Sequence, residues 1–478
     1  MKSSNLIIHN NSESFMEGNF INTSLLTEKG TIELQCNHGV YSMEGSYIST
    51  VINTSPFESL IISWNVITPK NTKIRVWGRV FIDDTWSSWL SLGTWATNSD
   101  RFSSCENISD ELASVSTDTL KVNGDGSTAS ALQYKIEFFS EDGKTTPSLS
   151  LVAATIKNTL AGQNIPLVYK DSVRKGVIDN YEGVLPVYPY SQMTKDPKIA
   201  HVMCSATSTS MVLRFHGVDI TPEEVAFGLY DSHYKGFGNW IFNTAYISSF
   251  GLESYVAYFH SIEDLKRELI KGNPVIVSVR YKQPDCDKIL PVITNAACSF
   301  TFGHIIVVKG FVIEEGKEYV VVNDPAAKTD VGVSLRYALE EFLAAWSGRV
   351  AYVIHKNKAI TPAPERIKVQ FNATGQKKEN HGIDYEEYKL FAKDEEINLK
   401  KQGPCSIMFK PQKKERYSYY LNIEEVLDNS LMAEKESTSL WIPYKNILNI
   451  SNLENQKIYD FRIVCENAVI FDGILTIN

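Results

Sequence analysis

The chain has 478 residues, of which 43% are hydrophobic and 22% are charged, and its formal net charge is -9. This length exceeds one ordinary hydrophobic core and predicts about three domains. The acidic balance argues against a nucleic-acid partner, because neutralising phosphates requires clustered Lys and Arg. The longest apolar runs, such as 304–313, fall short of the roughly 20 residues that span a bilayer, so we expect no transmembrane segment.

The N-terminus and the cysteines bear on the cellular compartment. Residues 1–20 hold one short apolar cluster, at 6–8, which is not the apolar region of a signal peptide. Seven cysteines are spread along the chain without paired spacing, a pattern typical of reduced thiols in a cytosol, although a bridge between Cys286 and Cys298 stays open. These features point to the cytoplasm by default, and we leave the localisation unassigned.

Residues 1–30 are expected to form an N-terminal segment, and residues 31–160 a β domain. Apolar residues occupy alternate positions in 73–83 and again in 132–138, as in half-buried strands. Several such strands without intervening helices predict a two-sheet, jelly-roll-like sandwich. Five tryptophans lie in this region: Trp64, Trp77, Trp86, Trp89 and Trp95. Their rings suit stacking on sugars, so glycan or cell-surface contact is one alternative, and packing within the sandwich is the simpler one.

Residues 161–358 mix helical and strand patterns. Thr221 precedes a proline and two glutamates, and Ser261 precedes an acidic first turn, so each is expected to cap a helix. The run 275–279 predicts a strand, and an apolar stripe over 335–346 predicts a further helix. Helices combined with a largely antiparallel sheet predict an α+β domain.

A proline-rich hinge at 360–364 precedes a return to strand patterns. Residues 365–478 are therefore expected to form a second β-sandwich. Residues 453–467 resemble one strand of a fibronectin type III domain. The predicted fold class is multidomain, with a central α+β domain flanked by two all-β sandwich domains.

Cys204 has the surroundings of an activated thiol. Small residues follow it for two turns, larger apolar ones come next, and Gly217 ends the run, so Cys204 is expected to begin a helix. A helix N-terminus lowers the pKa of a thiol, and a neighbouring imidazolium lowers it further. The free N–H groups at such a terminus can also hold an oxyanion.

The imidazole candidate is His304, which follows Gly303 at the head of an apolar strand. A hairpin turn at 314–317 returns the chain antiparallel, so that Asp324 falls close to His304. Strand alternation separates Asp324 from Asn323, and only one of the two can face the ring. We choose Asp324 as the residue that orients the imidazole, with Asn323 as the fallback.

Gln192 completes the candidate site, because a side-chain amide ahead of the thiol can donate to the oxyanion. Two other histidines are weaker candidates for the base: His201 is expected in a solvent-facing loop, and His216 is expected to cap a helix end. A zinc site is disfavoured, because no paired Cys or His spacing accompanies Cys204.

Several segments of the chain, taken in sequence order, resemble those of the papain-like cysteine peptidases, and among them the bacterial family of bacteriocin-leader (double-glycine) processing peptidases. The matching segments are 190–192, 204–217, 238–240, 272–276, 303–304 with the strand that follows, and 320–325. They lie within 184–354, about a third of the chain. The resemblance implies Cys204 as nucleophile, His304 as base, Asp324 as orienting acid and Gln192 as oxyanion donor. Asn239 and Trp240, in the segment 238–240, are candidates for a substrate cleft, and core packing is an equal alternative for Trp240.

The expected function is hydrolysis of peptide bonds in peptide or protein substrates through a thioester, without a cofactor or metal. No transporter segments follow, which argues against leader processing coupled to export. Family resemblance would favour an extracellular site of action. Two alternatives stay open: a non-peptidase cysteine hydrolase, such as an amidase or a cell-wall peptide hydrolase, and an inert peptidase fold that binds glycans or proteins.

Overall fold

The computed structural model describes residues 4–97, 105–159, 173, 175–179, 181–195, 199–218 and 220–356, and beyond them the backbone of strands between 368 and 477. It forms two compact units, Met1–Gln192 with Val202–Ala363, and Met193–His201 with Pro364–Asn478. The hinge expected at 360–364 lies outside the described residues.

The N-terminal region of the first unit is a β domain with one short helix, α1 (Ser12–Phe15). Its strands are β1 (Leu6–His9), β2 (Asn19–Ile21), β3 (Thr23–Leu26), β4 (Thr31–Leu34), β5 (Cys36–Asn37), β6 (Val40–Tyr41), β7 (Glu44–Ile48), β8 (Ile52–Phe57), β9 (Ser59–Ile67), β10 (Thr72–Ile82), β11 (Thr85–Trp86), β12 (Leu90–Trp95), β13 (Ile108–Ser109), β14 (Ala113–Ser116), β15 (Thr119–Val122), β16 (Ala129–Ser140) and β17 (Ser148–Lys157).

Two large sheets make up this β domain. One has the order β13-β14-β15-β9-β17-β4-β3, with β1 also on β17; the other has the order β11-β10-β16-β7-β2, with β12 on β10 and β8 on β16. Strands β1 to β3 come from residues before 31 and add to both sheets. Strand pairing therefore draws the expected N-terminal segment into the β domain.

The alternation predicted in β10 is confirmed. The even-numbered residues, among them Ile74, Val76, Val80 and Ile82, are buried, while the odd-numbered residues between them are half-buried. The five tryptophans of this domain fall into two groups, one fully buried and one in contact with cationic side chains. Trp64 and Trp95 are fully buried and contact Phe242, whereas Trp77, Trp86 and Trp89 lie under the cationic groups of Arg75, Arg79 and Lys135. All five rings thus have partners within the protein.

The central region of the first unit contains six helices and seven strands among the described residues. They are α2 (Lys175–Asp179), β18 (Gly183–Val184), α3 (Cys204–Phe215), α4 (Pro222–Leu229), α5 (Trp240–Ser248), β19 (Leu252–Tyr258), α6 (Ile262–Ile270), β20 (Val275–Lys282), β21 (Phe300–Glu314), β22 (Lys317–Asn323), β23 (Ser334–Ala338), α7 (Leu339–Ala345) and β24 (Val350–Lys356). Short 3-10 helices occupy Gln192–Thr194, Ala200–Val202 and Asp330–Gly332.

The seven strands form one sheet in the order β19-β24-β20-β21-β22-β23, with β18 on β21, and all its pairs are antiparallel. The predicted caps are confirmed: Thr221 and Glu224 bond reciprocally before α4, and Ser261 and Asp264 form a capping box on α6. One prediction is wrong. Leu335 lies on β23 and pairs with Val322 of β22, so the helix expected over 335–346 begins only at Leu339. The apolar stripe fits both periods, and pairing with β22 decides between them.

The β domain covers the edge of this sheet. The N–H groups of Ser254 and Val256 on edge strand β19 donate to the side chains of Asn65 and Ser63 at 3.1 Å, and that of Tyr258 donates to Thr155 at 3.0 Å. Asn65 also donates to the Ser254 carbonyl at 2.5 Å. Side chains therefore take the place of a neighbouring strand, and the two regions are joined through buried polar contacts.

The second unit contains a sheet of nine strands, described through its backbone: β25 (Lys368–Asn380), β26 (Ile383–Ala392), β27 (Glu395–Glu396), β28 (Cys405–Pro411), β29 (Tyr419–Tyr420), β30 (Thr438–Trp441), β31 (Ile447–Ile450), β32 (Ile458–Cys465) and β33 (Ala468–Ile477). Their order is β27-β26-β25-β33-β32-β28-β30-β29, with β31 on β26. Strand patterns predicted after residue 365 are thus present.

Candidate active site

Cys204 is the first residue of α3 and is half-buried. Hydroxyl groups fix this helix in the core. Ser205 and Thr209 donate to the Asn243 side-chain oxygen on α5 at 2.9 and 3.1 Å, and Ser208 donates to the Ile305 carbonyl on β21 at 2.9 Å. The small residues that follow the thiol in sequence therefore serve as docking contacts, and they hold its helix against the strand of His304.

His304 lies on β21, opposite Val279 of β20, and the residue is 5% exposed. Its Nε2 is 2.7 Å from Oδ1 of Asp324, which directly follows β22 and is fully buried. The ring also lies close enough to the Cys204 thiol for the two groups to shift each other's pKa. Because the carboxylate occupies Nε2, Nδ1 is the nitrogen left for the sulfur. The structure thus brings Cys204, His304 and Asp324 together.

The Asp324 carboxylate accepts three further hydrogen bonds. The Ala326 N–H donates to Oδ1 at 2.9 Å, and the hydroxyls of Tyr281 and Tyr337 donate to Oδ2 at 2.8 and 2.7 Å. Neither tyrosine was singled out from the sequence. Alternation places both on inward faces of strands, but only the register of four strands brings their hydroxyls to one oxygen.

Asn323 faces away from the imidazole. Its side-chain N–H groups donate to the carbonyls of Val187 and Tyr188 at 3.1 and 3.3 Å, and it is fully buried. It anchors the segment that leads to Gln192. Gln192 is itself buried, and its backbone N–H donates to the Pro325 carbonyl at 2.8 Å. The residue expected to donate to the oxyanion is therefore tied to the turn that carries Asp324.

The ionisation of the three residues is coupled. Burial raises the pKa of Cys204, but a hydrogen bond and the charge of His304, with the N–H groups of Ile305 and Ser205, bring it below its ordinary value. Burial lowers the pKa of His304, while Asp324 and Cys204 raise it well above the ordinary value. Burial raises the pKa of Asp324, yet His304 and Tyr337 hold it below normal. These directions favour a thiolate beside an imidazolium and a carboxylate.

Asn239 and Trp240, the two residues expected at a substrate cleft, have different surroundings. Asn239 is fully buried, caps α5 by accepting from the Phe242 N–H at 3.3 Å, and donates to Asp231 at 2.8 Å. Trp240 lines a cavity of about 500 Å³ between the β domain and the central region, together with Tyr258, Lys121 and Lys157. Neither Cys204 nor His304 lines that cavity.

Two further histidines, His201 and His216, were weaker candidates for the base. His201 is exposed in the 3-10 helix Ala200–Val202. His216 is the C-cap residue of α3, and burial lowers its pKa to about 4. Across the described ranges, no group of three or more His, Cys, Asp or Glu side chains is arranged to hold a metal ion. Within the same ranges, no helix has the length and apolar character to cross a membrane.

Comparisons with known proteins find two matching family models. Residues 184–353 match the model of the Peptidase_C39 like family, and residues 17–156 match that of the Peptidase C39 N-terminal domain. A search of curated proteins finds no match.

Solved structures give weaker similarities. A Bacillus anthracis protein described as a C39-like peptidase is 16% identical, with a TM-score of 0.29, over 37% of this chain and 99% of that one. A family two carbohydrate esterase from Cellvibrio japonicus is 11% identical, with a TM-score of 0.16, over 34% of this chain and 36% of that one. Both scores are low, so the resemblance rests on the two family models. In its β domain and its central region, this chain resembles the papain-like cysteine peptidases of the C39 type.

Proposed function

We propose that this protein is a cysteine peptidase that hydrolyses peptide bonds through Cys204, His304 and Asp324. One observation carries the proposal: the His304 imidazole lies 2.7 Å from the Asp324 carboxylate and interacts with the Cys204 thiol, which raises its pKa further. A nucleophile, a base and a group that orients the base are the parts of an activated thiol.

In the proposed reaction the Cys204 thiolate attacks the peptide carbonyl carbon. The negative charge that forms on the carbonyl oxygen is held by backbone N–H at the start of α3 and by the Gln192 amide. The His304 imidazolium gives its proton to the leaving amine, and a thioester remains on Cys204. Neutral His304 then takes a proton from water, whose oxygen attacks the thioester, and the acid product and the thiol are released. Asp324 keeps the ring oriented throughout.

We propose a papain-like core over 161–358, a sandwich over 31–160 and a second sandwich over 365–478. Helix α3 packed against β21, two sheets in the β domain, and the nine-stranded sheet of the second unit support this division.

Labelling with an electrophilic peptide tests the nucleophile. A peptidyl chloromethyl ketone should modify Cys204 alone at neutral pH, and Cys204→Ala should take up no label while keeping the urea midpoint of the wild type. Cys36→Ala, which removes an exposed thiol of the β domain, serves as the matched control and should label normally. Equal labelling of Cys36 and Cys204 would argue against an activated site.

Cleavage of a quenched fluorescent peptide library then tests the bond. Turnover that is lost in Cys204→Ala supports a peptidase. Labelled but peptide-inactive protein would instead identify a hydrolase of another amide, and protein inert in both assays would favour a binding module.

A further inference from the structure

The hydrogen bonds around Asp324 are divided between its two oxygens. Oδ1 accepts from His304 and from the Ala326 N–H, whereas Oδ2 accepts from Tyr281 and Tyr337. All four donor–acceptor distances lie between 2.7 and 2.9 Å. The plane of the carboxylate is therefore fixed from both ends, and one oxygen is held toward the imidazole.

Because Asp324 and the two tyrosines are buried, the hydroxyl groups matter for the charge of the carboxylate. Asp324, Tyr281 and Tyr337 are all at 0% exposure, so water cannot solvate the charge. An ionised carboxylate in such a place depends on its hydrogen-bond donors. Burial and the Asp324 charge raise the pKa of both tyrosines well above the ordinary value, so each remains a neutral donor.

The tyrosines are themselves held in place. Their ring centroids are 6.3 Å apart, and the Tyr281 ring meets the His304 ring edge-on at 6.1 Å and 86°. The Tyr281 hydroxyl has a further neighbour in the Cys298 sulfur at 3.5 Å. Tyr281 comes from β20 and Tyr337 from β23, so the pair brackets the two strands that carry His304 and Asp324.

We propose that Tyr281 and Tyr337 are positioning residues that keep Asp324 ionised and aligned, and thereby set the pH at which the Cys204 thiolate forms. The proposal rests on the proposed function only for its catalytic meaning. In physical terms, the two tyrosine hydroxyls act on the Asp324 carboxylate, the carboxylate acts on the His304 imidazole, and the imidazole acts on the Cys204 sulfur. Without the hydroxyls, Asp324 is protonated at a higher pH, and the His304 imidazolium then loses its charged partner. The Cys204 thiolate therefore forms only at a higher pH.

The test is the pH dependence of Cys204 alkylation by iodoacetamide in the full chain, followed by mass spectrometry of the Cys204 peptide. This readout reports thiolate and does not require peptidase turnover. Tyr281→Phe and Tyr337→Phe should each move the midpoint upward, by up to about one pH unit, because losing a hydrogen bond to a charged group raises the pKa of Asp324 by about that much and His304 transmits part of the shift to the thiol. The double variant should move it further.

Tyr255→Phe is the matched control, since Tyr255 belongs to the same hydrophobic core but lies on β19. It should leave the midpoint in place. Variants that slow alkylation equally at every pH, or a midpoint that stays or falls, would overturn the proposal and assign the tyrosines to packing. If the double variant fails to fold in a urea titration, the single variants decide. Peptide cleavage is measured separately. A protein without peptidase activity would contradict the proposed function, and the effect of the two tyrosines on Cys204 alkylation could still be measured.

Discussion

Ser208 donates its hydroxyl hydrogen to the backbone oxygen of Ile305 at 2.9 Å. Ser208 lies one helical turn after Cys204, and Ile305 directly follows His304. This contact therefore sets the distance between the helix that carries the thiol and the strand that carries the imidazole. Active sites lose rate when such distances change by a fraction of an ångström.

Ser208→Ala is expected to lower kcat/KM by about tenfold or more, since a buried carbonyl loses its donor and α3 can shift along β21. Ser210→Ala is the matched control, because Ser210 on the same helix donates to the Ile220 carbonyl at 2.8 Å, away from β21. Both variants should lose about 1 kcal/mol in a urea titration. Equal kinetic losses in the two would mean that Ser208 acts only through stability.

Asn65 joins the β domain to the edge of the central sheet through two hydrogen bonds with Ser254, at 2.5 and 3.1 Å. Asn65→Ala leaves a buried N–H and a buried carbonyl without these partners, so we expect a loss of about 2–3 kcal/mol in the free energy of unfolding. Asn53→Ala, at an exposed position of β8, should change it by less than about 0.5 kcal/mol. Urea denaturation followed by tryptophan fluorescence measures both. A loss in Asn65→Ala no larger than that of the control would show that the edge contacts do not hold the two regions together.

His355 and Glu268 give stability a pH dependence that is separate from catalysis. His355 Nε2 lies 2.6 Å from Glu268 Oε2, and although burial lowers the pKa of His355, Glu253 and Glu268 raise it to about 9. The folded-state pKa lies above the unfolded one, so the stabilisation is complete below about pH 6.5 and is lost as the pH rises through 9. Allowing for the partial exposure of His355, we expect about 1–2 kcal/mol.

His355→Gln should remove this contribution, so that the stabilities of variant and wild type converge toward pH 9.5. His260→Gln, at an exposed histidine, serves as the control and should follow the wild type at every pH. Thermal unfolding between pH 6 and 9.5 gives the measurement. Parallel curves for wild type and His355→Gln would contradict the assignment.

Local signals predicted much of this molecule. Helix starts at Thr221 and Ser261 follow from side chains that cap their own helix, and the hairpin turn at Glu315 and Gly316 follows from two residues that adopt positive φ. Such features are determined within a few residues of sequence. They sufficed to suggest that His304 and Asp324 would lie close together.

Contacts between distant segments could not be predicted in the same way. The meeting of Tyr281 and Tyr337 at one carboxylate oxygen depends on strand order, and the capping of β19 by Asn65 depends on how two regions pack. Asn239 is a further example: the sequence made it a candidate for a substrate cleft, and it could not show that the buried side chain donates to Asp231 and caps α5. Periodicity identifies the inward face of an element but not the partner that it meets.

The adjacent residues Asn323 and Asp324 have separate tasks, and exchanging them should not be tolerated. The Asn323 amide donates to the carbonyls of Val187 and Tyr188, so Asn323→Asp would set a carboxylate against two carbonyl oxygens in a fully buried site. We expect a loss of about 3 kcal/mol or more in the free energy of unfolding.

Asp324→Asn removes the charge beside His304 while it keeps the shape of the side chain, and it should slow alkylation of Cys204 at neutral pH with a smaller loss of stability. Adding Asn323→Asp to Asp324→Asn should restore neither alkylation nor peptide cleavage, because the carboxylate at 323 points toward the segment of Val187 and not toward the imidazole. Alkylation rates at pH 7 and urea midpoints for the two single variants and the double variant provide the measurement. Recovery in the double variant would show that either position can orient His304, and the division of roles between the two residues would then be wrong.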